Sequence, residues 1–434
     1  MTIDKNIYLN RRKQLAKLMG EGVAIISNGS ETIRNSDVHY KFRENSYFYY
    51  LTGFNEPEAI VLIFAKPFHS IIFVKEKNPL KETWEGYLYG PKKAKEIFLF
   101  NEAFTINSFD KHLTQALCDQ KQIFCLEEQE SMLLQITQAF KKIQKSRRHG
   151  GVLPEQIKVL NKPLDTMRLI KKPDEISIIR KACQISAESH VQVMRNIRPG
   201  LNEYHVESEL QYGFSQRGAA NVAYPSIVAS GSNACTLHYN ENNKPLKSGD
   251  LILIDAGCEY ENYASDITRT YPINGKFSPE QKAVYEVVLE AQKKAIDAAR
   301  KNQSFNAPHN IAIKILSQGL KDLGILKNSL DTIIEKKEYE QFYMHRTSHW
   351  MGLDVHDVGD YYSKNKQPVK LENGNIITVE PGLYFSKKSK APSRFKGIGI
   401  RIEDDVLINN SDPEVLTKNC PKEIKELENI IGSD

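Results

Sequence analysis

Residues 251–272 read LILIDAGCEYENYASDITRTYP. Four large apolar side chains, the composition of a buried strand, run straight into Asp255. A second carboxylate, Asp266, follows after a short polar interval. Gly257 and Asn262 permit a turn between the two. Residues 251–255 and 263–271 are therefore expected to pair as strands and to carry both aspartates toward one place. A charged residue closing an apolar strand either caps a turn or serves a site, and this stretch alone leaves both readings open.

Downstream segments add groups of the same kind. His345, His349 and His356 fall within HRTSHWMGLDVHDVG, and Glu380 closes the apolar run Ile377-Thr378-Val379. In GIGIRIEDD, Ile398, Ile400 and Ile402 share one face of an alternating strand, with Gly399, Arg401 and Glu403 on the other. An arginine and a glutamate behind an isoleucine face are either solvated or converge on a polar centre. Two aspartates, two glutamates and a histidine at the ends of apolar strands suit an oxygen-rich dinuclear metal site. Manganese, iron, cobalt and zinc fit such donors better than copper or a thiolate-type zinc site. Charge points the same way: four clustered carboxylates repel one another, and two divalent ions would neutralise them.

The flanking pattern is α+β. Lys172-Pro173-Asp174-Glu175 starts a helix, with proline and acids in its first turn. Ile179, Cys183, Ala187, His190 and Met194 recur along it at spacings of three and four, and Arg198-Pro199-Gly200 ends it. His190 lies on this stripe and reads as a packed helix residue. A second helix starts at Asn202, and Ser278-Pro279-Glu280-Gln281 is a capping box opening a third. Later strands are expected at 375–380 and 398–407. Helices followed by strands, twice over, predict a duplicated α+β unit around an antiparallel sheet at residues 166–434. Residues 1–165 read as a separate α/β domain. It has a helix at 9–19, strands at 22–26, 59–65, 71–75 and 97–100, and a helix at 127–145.

Composition excludes several classes. The 434 residues are 40% hydrophobic and 26% charged, which excludes a wholly disordered chain. No apolar run approaches the roughly 20 residues that span a bilayer. No apolar segment follows the N-terminal MTIDKNIYLNRRKQ, so no secretory signal is visible. Six cysteines without a CxxC pair argue against a disulfide framework or zinc knuckle and for a reducing cytoplasm. The net charge of +5 is small for this length, and the basic run at 141–150 lacks interleaved aromatics. Neither membrane nor nucleic acid is expected as a partner.

His238, Asp255, Asp266, His349, Glu380 and Glu403 together resemble the ligand and histidine set of the pita-bread metallopeptidases. Within that group the chain most resembles the bacterial Xaa-Pro aminopeptidase (aminopeptidase P) branch. The stretches that carry this are YPSIVASGSNACTLHY, the 251–272 segment, HRTSHWMGLDVHDVG, VEPGLY and GIGIRIEDD, together with RNSDVHYKFRENSYFYYLTGFNEPEA at 34–59. The resemblance runs over about residues 5–430 and implies two divalent ions, most readily Mn2+. It implies that Asp255 chelates one ion, His349 and Glu380 hold the other, and Asp266 and Glu403 bridge them, with a bridging water or hydroxide as nucleophile. It also implies that His238, His356 and His345 line the reacting peptide, that Arg401 fixes Asp255, and that Tyr224 and Tyr384 are pocket residues.

The implied substrate is a peptide with proline at the second position, cleaved after its first residue. The same resemblance leaves a prolidase restricted to X-Pro dipeptides, or a non-enzymatic binding protein on the same fold, as alternatives. Methionine aminopeptidase and creatinase-like readings fit less well, the former for lack of an N-terminal domain and the latter for lack of the metal set. Trp84 reads as a partly buried loop aromatic and Asp37 as a turn acid. The family's oligomers, dimers or tetramers, imply a second role for both: lining the substrate channel of a neighbouring subunit.

Overall fold

The computed structural model describes residues 4–432, and the chain divides into two compact units after Met167. In the first unit, β1 (Val23–Ser27) precedes a small hairpin of β2 (Ile33–Asn35) and β3 (Val38–His39). Strands β4 (Ile60–Phe64), β5 (His69–Val74), β6 (Glu102–Thr105), β7 (Gln122–Cys125) and β8 (Gln156–Val159) follow. Six of these form one mixed sheet in the order β6-β5-β4-β1-β7-β8. Alternate residues Val23, Ile25, Leu62 and Phe73 pack with Phe109, Leu113 and Ile136, which lie on two helices, Phe109–Leu117 and Glu130–Lys145. The strand expected at 97–100 does not form. Residues up to Phe98 belong to the helix Gly90–Phe98, whose stripe Ala94/Phe98 is buried, and Leu99 closes it in a left-handed conformation.

The second unit starts with two packed helices, Pro173–Asn196 and Glu203–Gln216, followed by β9 (Asn221–Val222), β10 (Ile227–Ser230), β11 (Leu251–Asp255), β12 (Cys258–Tyr260), β13 (Tyr263–Ala264) and β14 (Thr268–Pro272). A second packed pair, Pro279–Ala298 and Ala307–Asp322, leads through a short helix to β15 (Ile376–Val379), β16 (Gly382–Tyr384), β17 (Gly399–Arg401), β18 (Asp404–Leu407) and β19 (Glu414–Val415). Each helix pair is thus followed by its own antiparallel strands: β10-β11-β14 in the first half, β15-β18-β19 and β16-β17 in the second. His190 is fully buried, with Nε2 2.9 Å from the Ala256 carbonyl, as a packed helix residue should be.

Two expected strands are broken. Residues 263–271 split at 265–267, and 398–407 split at 402–403. At the first break the Asp266 N–H donates to the Asp405 carboxylate instead of a strand neighbour. At the second, the Glu403 N–H reaches the Thr268 carbonyl across the gap. Both breaks fall at carboxylates expected to be ligands. Gly257 allows the first to close up, since a Cβ there would lie 1.8 Å from the Ser265 carbonyl oxygen.

Candidate metal centre and active-site cavity

Strand β11 pairs with β14 so that Asp255 lies opposite Thr268, two residues beyond Asp266. The Tyr224 hydroxyl lies 2.6 Å from Asp255 and 2.5 Å from Asp266, and one O–H can donate to only one of them. Asp266, His349 and Glu403 each offer a ligand atom within 4.8 Å of the others, which makes them a candidate metal-binding group. His349 Nε2 stands 3.5 Å from Asp266 and 3.6 Å from Glu380. Its Nδ1 donates to the Trp350 carbonyl at 3.0 Å. That bond turns Nε2 toward the carboxylates, so that the neutral ring would offer its Nε2 lone pair to a metal.

The surroundings hold these groups in place. Arg401 donates to Asp255 at 2.6 Å, to the Tyr384 hydroxyl at 3.1 Å and to the Thr268 hydroxyl at 3.0 Å. Thr268 in turn donates to Glu403 at 2.6 Å. Thr378 accepts the His349 N–H. Electrostatics marks the cluster as short of positive charge. Burial and then Asp255 push Asp266 upward. Burial, against the pull of His349 and Arg401, leaves Glu380 at about 7. Burial and three neighbouring carboxylates hold Glu403 well above the usual range. Burial lowers His349, but the Asp266 hydrogen bond and the Glu380 charge more than offset this and raise it to about 9. An oxygen-rich donor set with one correctly oriented imidazole and surplus negative charge fits divalent metal ions.

This cluster forms part of the wall of a cavity of about 730 Å³. His238, His345, His356, Tyr224 and Arg401 also line it. The His349 and His356 rings meet edge to face at 4.4 Å, and burial followed by the charges of His349 and His238 lowers His356. His345 accepts from the Tyr384 hydroxyl at 2.8 Å through Nε2 and donates to the Arg346 carbonyl through Nδ1. Burial, then Arg401, holds it neutral at about 3.

Tyr384, Asp37 and Trp84 are not among the residues lining this cavity. Tyr384 is 1% exposed and does not line the cavity; its hydroxyl is engaged by Arg401 and His345 behind the wall. Asp37 is exposed in the turn between β2 and β3. Trp84 is neither in a loop nor partly buried: it lies on the short helix Pro79–Glu85 and is 90% exposed. Both belong to the first unit, whereas the residues lining the cavity belong to the second.

The loops bearing the histidines have anchors that sequence reading passed over. Glu203, fully buried, accepts from the Ser230 N–H and hydroxyl, the Asn233 amide, the Tyr239 hydroxyl and the Lys244 N–H, at 2.7–3.0 Å. These bonds tie down the segment that carries His238. Asp357, next to His356, pairs with Lys171 at 2.9 Å and Arg168 at 2.6 Å, all three side chains being at most 2% exposed. Asp405, behind Asp266, was visible only as the last acid of RIEDD, a run too acidic for an ordinary apolar strand.

Comparison with known proteins extends these observations. The profile of metallopeptidase family M24 matches residues 177–410, and that of the aminopeptidase P N-terminal domain matches residues 8–124. The chain belongs to metallopeptidase family M24. It is 42% identical to a Xaa-Pro aminopeptidase of Haemophilus influenzae over 97% of this chain and 96% of that protein. To the Xaa-Pro aminopeptidase of Escherichia coli it is 37% identical, over 99% of this chain and 98% of that one. Among solved structures, Pseudomonas aeruginosa aminopeptidase PepP superposes with a TM-score of 0.97 at 40% identity, covering 99% of this chain and 98% of that one. Proline aminopeptidase P II of Yersinia pestis does so with a TM-score of 0.97 at 38% identity, over the whole of both. The α/β plus α+β architecture is that of these M24 enzymes.

Proposed function

We propose that the chain is a metal-dependent aminopeptidase that hydrolyses the N-terminal X-Pro bond of peptides and releases X. The observation that carries this is one cavity in which four carboxylates and His349 stand beside three further histidines, in a chain of family M24. Asp255, Asp266, His349, Glu380 and Glu403 are proposed to hold two divalent ions, Mn2+ first among the candidates. When bound, such a pair supplies an activated water and stabilises developing oxyanion charge.

The chain's own residues do the rest. Arg401 and Thr268 fix the orientations of Asp255 and Glu403. The N–H groups of a free α-amine can donate to carboxylate oxygens of the ligand set at that end of the cavity. His238 and His356 are proposed to polarise the scissile carbonyl through their ring N–H groups, a role that their place in the cavity wall supports. The X-Pro amide has no N–H to orient it, so these donors and the apolar wall of Pro225, Ile227 and Leu237 must position the bond. The departing proline nitrogen needs a proton, and His238 and His356 are the exposed histidines of the wall outside the proposed ligand set.

Assembly as a homodimer or homotetramer is proposed as well; the exposure of Trp84 supports an apolar surface that a partner covers. Among the described residues no helix is long and apolar enough to cross a membrane, and all six cysteines are free, which supports a cytoplasmic setting. The test is a length series with a common X: X-Pro, X-Pro-Y, a pentapeptide and an N-acetylated tripeptide. The tripeptide and pentapeptide should be cut after X, the dipeptide more slowly, and the acetylated peptide hardly at all. Rapid dipeptide cleavage with no attack on longer peptides would make the enzyme a prolidase.

A further inference from the structure

One charged group in the cavity wall takes no part in the proposed centre. Arg346 follows His345 and is exposed at the wall, beside Phe305, Tyr361 and Tyr362. Its Nη2 donates to Asn306 Oδ1 at 2.6 Å and to the Tyr362 hydroxyl at 3.2 Å. Both partners are neutral, and among the described residues no carboxylate pairs with the guanidinium. Asn306 sits at the N-cap of the helix Ala307–Asp322, yet its side chain makes no capping bond. Asparagine is a favoured N-cap, and here its oxygen accepts from Arg346 instead. The guanidinium is thus held in place with its Nη1 and Nε edges open and its charge uncompensated.

A substrate whose α-amine is drawn to the carboxylate cluster leaves the other end of the peptide for the rest of the cavity. We propose that Arg346 receives the C-terminal carboxylate of short peptides, on the leaving-group side of the scissile bond, and so sets a preference for free-acid substrates. A forked guanidinium suits a carboxylate bidentately, and Phe305, Tyr361 and Tyr362 supply an aromatic lining to the same cavity. This inference rests on the aminopeptidase reading above.

The test measures kcat/KM for X-Pro, X-Pro-Y and X-Pro-Y-Z, each as free acid and as C-terminal amide, on the metal-loaded protein. At one of these lengths, which locates the residue that bears the carboxylate, the acid should be favoured about three- to tenfold, and added salt should shrink the ratio. In Arg346→Gln the ratio should fall to about one, and in Arg346→Lys it should be partly kept. Calorimetric binding of Pro-Leu against its amide should give the same ordering without turnover. Equal rates for acid and amide at every length, or a ratio unchanged in R346Q, would overturn the proposal while leaving the aminopeptidase reading intact. Failure to cut any X-Pro peptide would instead sink that reading, and equal binding of Pro-Leu and its amide would still decide against Arg346.

Discussion

Replacing Asp357 by Asn tests whether the loop that carries His356 is held by charge. The substitution keeps the shape and removes the anion that pairs with Lys171 and Arg168. Burial opposes an ionised Asp357, but the two cations override it and hold the carboxyl below its usual range. Removing one partner of a buried pair costs about 3–5 kcal/mol, because the other charge is left without compensation. Arg168 keeps Asp354, a half-exposed partner at 2.7 Å, so the lower end of that range applies. For a unit of this size, about 3–4 kcal/mol lowers Tm by roughly 6–8 °C. Asp357 adjoins His356, so turnover should fall too, by about tenfold. That is less than the roughly hundredfold or greater loss expected when a donor to the oxyanion is deleted outright. Lys171→Met leaves the Arg168–Asp357 pair and should cost less in both respects. Calorimetry on the metal-loaded protein, with X-Pro-Y turnover on the same preparation, is the assay. A D357N protein that melts within a degree of the parent and turns over normally would refute the anchoring argument.

Glu203→Gln puts an amide where five donors point at a carboxylate, and should cost about 2–4 kcal/mol. Burial raises Glu203, but those donors more than offset it, so its contribution is present above about pH 4.3 and fades only as pH falls below that; a Tm deficit in E203Q that grew from pH 6 to 8 would contradict this. In chelator-stripped protein, Glu380 at about 7 and His349 at about 9 both lie above their unfolded values of about 4.3 and 6.5. Groups raised in this way stabilise at low pH and lose that contribution as pH rises through the folded value, so Tm should decline from pH 5 to 9 and a rise over that span would count against it. His238→Ala and His356→Ala should keep their metal content by elemental analysis while losing about 10²–10³ in rate; loss of metal in either would reassign that histidine as a ligand.

The elements read most readily from sequence were those with a strong local signal. The helix from Pro173 carries proline and acids in its first turn, and Ser278 and Gln281 exchange the hydrogen bonds of a capping box. Strand β11 is an unbroken apolar run, and it pairs with β14 in the register that faces Asp255 toward Thr268. What local pattern could not convey was where the strands stop. The strand-like sequence continues through Asp266 and Glu403, yet their N–H groups donate to the Asp405 carboxylate and the Thr268 carbonyl and interrupt the ladder at those residues. The stretch 97–100 looks β-like through Ile97, Phe98 and Phe100, but the buried i, i+4 pair Ala94/Phe98 keeps Ile97 and Phe98 in the helix that Leu99 closes. Within the cavity, Asp255 and Glu380 stood out because they end apolar runs, and His345, His349 and His356 because they cluster in HRTSHWMGLDVHDVG, whereas His238 came only from the family resemblance. Their supports did not: Glu203 lies 27 residues from Ser230, and Arg168 lies 189 from Asp357, so only the folded chain brings them together.

The central claim is metal-dependent release of X from X-Pro peptides. Chelator-stripped protein, titrated with manganese while metal content and release of X from X-Pro-Y are followed together, tests it most directly. The stripped protein should be inactive, and activity should rise to a plateau as about two ions bind per chain. Full activity without metal, or saturation with metal and no release of X from any X-Pro-Y peptide, would contradict the account.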